Sequence, residues 1–181
     1  SLLLVLLLLI IGLRHFQLIL ATLFSLVIGL VLTTGFATAV LDSFNLISIA
    51  FAVLFIGLSV DFSIHYSLRF LEVLELGFDY KKSIIKSGGD IGGAITLTAV
   101  CAAISFYSFL PTDYRGLAEL GLIAGTGMMI ALFVTLTVLP VSLALFPKID
   151  PNKQKVTGLF PPFKEMPLKF AKIICVIFFL I

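Results

Sequence analysis

Charge is what this 181-residue chain has least of. Charged residues make up 12% of it and hydrophobic ones 60%, where soluble domains carry roughly 25% charge. At a mean hydropathy of +1.22, no soluble domain could cover so much apolar surface with so few polar groups. A soluble enzyme, a disordered chain and a nucleic-acid binder are all excluded on this ground. Cysteine and histidine are as sparse, at two each. Cys101 and Cys175 lie in apolar runs, which leaves neither a disulfide framework nor a CxxC metal site. His15 and His65 share no metal-ligand spacing. A GxxxxGK[ST] phosphate loop is missing, and Gly125-Thr126-Gly127-Met128-Met129-Ile130 fails as GxGxxG at its last position. A nucleophile elbow is also missing. Neither a bound cofactor nor directly ATP-driven chemistry has a site here. What remains is an integral membrane protein of the all-α, polytopic kind.

The apolar runs set the expected topology. A spanning helix needs about 20 mostly apolar residues for a hydrocarbon core roughly 30 Å thick. Four runs qualify: Phe16 to Val40, Leu46 to about Tyr66, Ile91 to Leu110, and Leu117 to Phe146. Two are too short, since Leu2 to Leu13 gives about 18 Å of helix and Leu168 to Ile181 about 21 Å. The expectation is five crossings, complete or nearly so, and a truncated sixth, in a chain cut from a longer protein. All twelve Lys and Arg fall to loops. Eleven of them (Arg14, Arg69, Lys81, Lys82, Lys86 and the six from Lys148 to Lys172) alternate onto one side, and Arg115 onto the other. By the positive-inside rule the crowded side is cytoplasmic. Phe70 to Lys86 reads as a helix leaving the membrane followed by an interfacial segment. Pro147 to Pro167, with five prolines, reads as a connector holding a short amphipathic piece.

Nine of the ten acidic residues sit in loops or at helix ends. Asp61 does not: it lies in Ile56-Gly57-Leu58-Ser59-Val60-Asp61-Phe62-Ser63-Ile64-His65-Tyr66, inside the third crossing. Insertion scales charge about 2.5–3.5 kcal/mol for an aspartate at a helix centre. Removal from water favours the neutral acid, so such a group can gain and lose a proton within the membrane. The alternative is a carboxyl that bonds a neighbouring helix or snorkels to the cytoplasmic face. Gly57 and His65, four residues to either side, share its helical stripe. Gly57 would let another helix approach, and His65 could pass a proton inward or simply be an interfacial histidine. Ser59 and Ser63 read as helix back-bonders. The glycines opening the next two helices read first as packing surfaces; beyond that, Thr96 or Thr98 could face Asp61 and carry a water chain.

At Gly57-Leu58-Ser59-Val60-Asp61-Phe62 the sequence resembles the resistance–nodulation–division (RND) superfamily. More narrowly it resembles the MMPL branch, which includes the hopanoid transporters, and the related sterol-sensing domains. Asn45-Leu46-Ile47-Ser48, His65-Tyr66-Ser67-Leu68-Arg69-Phe70, the glycine-rich start of the next helix and Leu136-Thr137-Val138-Leu139-Pro140 extend the likeness over about residues 42 to 147. The resemblance implies that residues 1–147 are the family's helices 2 to 6, 148–167 a cytoplasmic connection, and 168–181 the start of the next helix. It implies a proton-driven exporter of lipid or hydrophobic cargo in a bacterial inner membrane, with protons as the coupling ion and Asp61 as relay. Asp61 would work with the remaining half of the same polypeptide; a homo-oligomer is left open. Phe62 stands where many members have a relay tyrosine, and His65 is a candidate substitute. A sterol-sensing regulatory module and a protein-export subunit are the alternatives.

Overall fold

The computed structural model describes residues 9, 15–41 and 46–145. They form α1 (Phe16–Val40), α2 (Leu46–Glu75), α3 (Tyr80–Tyr107) and α4 (Arg115–Leu145). Uninterrupted helix is what a lipid environment demands, because no water is present to satisfy backbone N–H and C=O groups. Each of the four is long and apolar enough to cross a membrane. Uncovered Phe24, Val27, Val31, Leu97, Ile104 and Phe133 would form an untenable surface in water.

The number of crossings corrects the expectation. Among the described residues four helices span, not five with a truncated sixth. The sequence count leaned on Leu2 to Leu13 and Leu168 to Ile181, which fall short of the roughly 30 Å core; apart from Leu9, both runs lie outside the described residues. So do Asp42 to Asn45 and the Pro147 to Pro167 connector.

The helices also run further than their apolar stretches. α2 continues through Arg69 and Glu72 to Glu75 and ends at Gly77, whose φ of 86° is the left-handed conformation that glycine adopts without a Cβ clash. Gly77 N–H donates to the Leu74 carbonyl at 3.0 Å. Tyr80 to Lys86, expected at the interface, are the first turns of α3. Polar residues extend both helices because they pair with one another across the hairpin, as described below.

Short connections make sequential helices antiparallel. α4 packs against all three others and α2 against α1, α3 and α4, while α1 and α3 do not touch. In cross-section α2 and α4 form the middle, flanked by α1 and α3. Burial pushes the pKa of His15, just ahead of α1, below its ordinary value, and the Glu75 carboxylate at the end of α2 partly opposes this. That coupling places the start of α1 near the end of α2. One end of the bundle thus carries Arg69, Lys81, Lys82 and Lys86, and the other carries Arg115.

Lipid tails are as apolar as leucine, so helices associate through close packing of small residues. α4 supplies most of these. A Cβ on Gly121 would stand 2.5 Å from the Phe106 carbonyl oxygen, and one on Gly125 would stand 2.5 Å from the Tyr107 ring. Phe55 of α2 fills a notch made by Gly29 of α1 and Gly127 of α4. Tyr107 Oη and Thr126 Oγ1 are 3.0 Å apart across α3 and α4. At the basic end Tyr80 Oη donates to the Leu143 carbonyl at 3.0 Å. That carbonyl is one of the last four of α4, which have no helical donor of their own.

Gly121→Ala should therefore lower stability by about 1–3 kcal/mol, since a backbone carbonyl cannot turn aside. Gly35→Ala, where a Cβ meets nothing within 4 Å, should leave stability unchanged or raise it by up to about 1 kcal/mol. Thermal melting in detergent compares the two.

Candidate functional site

Asp61 sits midway along α2, and its local geometry follows from the 3.6-residue period. Gly57, Asp61 and His65 form one stripe on a face that no other described helix covers. The side chains of Asp61 and His65 are 63% and 65% exposed, with His65 Nε2 3.7 Å from Asp61 Oδ1. That separation is too long for a hydrogen bond and becomes an ion pair only if the imidazole is protonated. A Cβ on Gly57 would meet nothing within 4 Å, so the close approach expected there is not made by any described helix.

Asp61 faces a cleft between α2 and α3. About 190 Å³ in volume, it is lined by Asp61, Phe62 and His65 from α2 and by Ile91, Ala94, Ile95 and Thr98 from α3. Of the two threonines expected near Asp61, Thr98 lines this space and Thr96 does not. Both hydroxyls donate to their own helix, Thr96 Oγ1 to the Gly92 carbonyl at 2.7 Å and Thr98 Oγ1 to the Ala94 carbonyl at 3.0 Å. The Thr98 oxygen still has acceptor capacity toward the cleft. Ser63 Oγ donates to the Ser59 carbonyl at 3.2 Å, the back-bonding that the sequence suggested. Among the described residues, no group of three or more His, Cys, Asp or Glu could hold a metal ion.

Phe62, in the position of a relay tyrosine, is buried and contributes a ring to the cleft without a hydroxyl. Tyr66 does not take its place. Its hydroxyl donates to the Ile84 carbonyl of α3 at 2.8 Å, and its ring lies 3.7 Å from a Cβ position on Gly88. It is a buried interhelical clamp. Phe70 and Tyr80 meet edge to face one turn further on, with ring centres 5.3 Å apart.

Two polar groupings went unnoticed in the sequence. Arg69 of α2 donates from Nε and Nη2 to Asp90 Oδ2 of α3 at 3.1 and 2.6 Å, and from Nη1 to Glu72 at 2.6 Å. Lys86 Nζ stands 3.6 Å from Asp90 Oδ1. The partners are 21 residues apart in sequence, and the only signal was opposite charge on either side of a turn. Glu119, which counted as a helix-end acid, is buried in the second turn of α4, with Arg115 Nε donating to it at 2.8 Å.

The model of the MMPL family matches residues 1–164. The chain belongs to that family. Within it, the chain is 43% identical over 161 residues to the hopanoid transporter HpnN of Burkholderia multivorans, covering 89% of this chain and 18% of that protein. It is also 43% identical over 151 residues to the hopanoid transporter HpnN of Rhodopseudomonas palustris, covering 83% and 17%. The chain thus spans less than a fifth of the length of these MMPL relatives. It is a multi-pass membrane protein of the RND superfamily.

Tyr66→Phe, which removes the hydroxyl that donates to the Ile84 carbonyl, should cost about 0.5–1.5 kcal/mol of stability, measured as a lower melting temperature in detergent; unchanged melting would show that this hydrogen bond adds nothing to the fold.

Proposed function

We propose that this chain is part of the transmembrane region of a proton-motive-force-driven exporter of lipid or other hydrophobic cargo in a bacterial inner membrane. It is a transporter rather than an enzyme, and its Lys81–Lys82 end faces the cytoplasm. One observation carries the proposal: Asp61, inside a spanning helix, opens onto a cleft and is not tied to any arginine or lysine among the described residues. A structural carboxylate in lipid would be paired, as Asp90 and Glu119 are. Asp61 instead keeps the freedom to take up and lose a proton.

Protonation neutralises Asp61 and removes the cost of holding a charge in a low-dielectric cleft. Deprotonation restores that cost and favours a packing in which the carboxylate is hydrated or paired. Two packings with different proton affinities are all that coupling requires. The membrane potential supplies about 2.3 kcal/mol per charge per 100 mV. In this reading His65, one turn toward the basic end with Nε2 3.7 Å from Asp61 Oδ1, receives the proton from Asp61 and hands it to water on that side, in place of the absent tyrosine. Thr98 accepts a hydrogen bond from a cleft water or from the protonated carboxyl. Thr96 faces away from the cleft and supports α3 only.

The uncovered Gly57–Asp61–His65 stripe is the surface for the remaining half of the same polypeptide. Gly57 would seat its helix. In this reading residues 148–167 form the cytoplasmic connection to that half and residues 168–181 begin its first helix. Hopanoids are the cargo of the named relatives, and a lipid of that rigid polycyclic class is the first to test here.

Asp61→Asn in the intact protein should abolish cargo export while leaving the protein in the membrane. The remaining rate should be insensitive to a protonophore. Undiminished, protonophore-sensitive export would sink the relay. His65→Asn should slow export by up to about 100-fold, the lower range for a lost proton-transfer group; an unchanged rate would remove His65 from the path.

A further inference from the structure

A charged cluster lies just beyond one end of the Asp61 cleft. On α2 the cleft lining stops at His65, and Arg69 lies one turn further on. On α3 it stops at Ile91, and Asp90 is the adjacent residue. These two side chains meet, with two Arg69 N–H groups on one Asp90 oxygen at 2.6 and 3.1 Å. Glu72 takes a third Arg69 N–H at 2.6 Å, and Lys86 approaches the other Asp90 oxygen at 3.6 Å. The Arg69 and Asp90 side chains are each 28% exposed, and the contact lies at the surface of the bundle.

Depth can be read from the same contact. Asp61 lies eight residues before Arg69, and Thr98 eight residues after Asp90. The two helices are antiparallel, so both intervals run away from the basic end, by about 12 Å each. Asp61 and Thr98 are thereby level on opposite walls, about two turns above the ion pair, with His65 between. Along the α2–α3 cleft, the way from Asp61 to the basic end runs past His65 and then this pair.

We infer that Arg69 and Asp90 are positioning residues that seal the Asp61 cleft from the water at the basic end, and that α2 and α3 must part there before a proton is released. The inference rests on the reading of Asp61 as the proton-carrying group. Arginine suits the task because its rigid planar fork holds Asp90 and Glu72 together, tying α2 to α3 in one geometry. Such a contact is made or broken as a unit. Lys86, on α3 itself, supports the Asp90 carboxylate without crossing to α2, and so cannot close the cleft alone.

The test is thiol accessibility in the intact protein. All native cysteines, Cys101 and Cys175 included, are replaced by alanine, and Thr98→Cys is the reporter. A membrane-impermeant maleimide is applied to vesicles of both orientations. Arg69→Gln and Asp90→Asn should each raise the labelling rate from the basic side by about tenfold, the effect of losing one charge-assisted contact. Labelling from the opposite side should not change. Asp90→Glu, which keeps the pair, should stay within about twofold of the parent. Equal rates in the parent, Arg69→Gln and Asp90→Asn would overturn the seal. So would acceleration from both sides alike, or loss of both variants from the membrane, which would assign the pair to folding. Labelling decides the seal and export by Asp61→Asn decides the relay, so either can fail while the other stands.

Discussion

Helices in lipid gain nothing by hiding apolar surface from one another, and the whole arrangement follows from that constraint. Contact has to come from close packing and from a few hydrogen bonds that the membrane cannot supply. α4 meets the requirement with Gly121, Gly125 and Gly127, which admit the end of α3, the Tyr107 ring and Phe55. A helix so notched can touch three neighbours at once, and it becomes the middle of the bundle beside α2. The polar contacts then fall at the margins. Tyr80 satisfies a terminal carbonyl of α4, and Tyr66 and Arg69 fasten α2 to α3.

This division of labour isolates Asp61. The residues of α2 on either side of its stripe are committed to packing: Tyr66 and Phe70 are buried, as are Ser59, Ser63 and Ser67. The stripe itself is left uncovered. The nearest ionisable partner of Asp61 among the described residues is His65, with Nε2 3.7 Å from Asp61 Oδ1.

Much of this was legible in the residues. Apolar length picked out the four helices, because twenty residues without charge have few alternatives. The stripe of Gly57, Asp61 and His65 was legible because helical periodicity is local. Thr98 could be named only alongside Thr96, since the facing of a helix depends on what packs against it. The start of α3 was misjudged for a related reason. Arg69, Lys86 and Asp90 look like loop residues one at a time and become helix residues only once they pair. The crossing count went beyond the four described spans by adding partial helices at the runs of twelve and fourteen residues.

The sequence by itself determined that this is a helical membrane protein with one aspartate deep in a spanning segment, because composition and periodicity act through solvent and backbone alone. Tertiary structure decided that Asp61 opens onto an α2–α3 cleft with Thr98 on its other wall, that Tyr66 bonds the Ile84 carbonyl, and that Arg69 meets Asp90. Each of those depends on which faces meet across helices distant in sequence, and no local pattern carries that information.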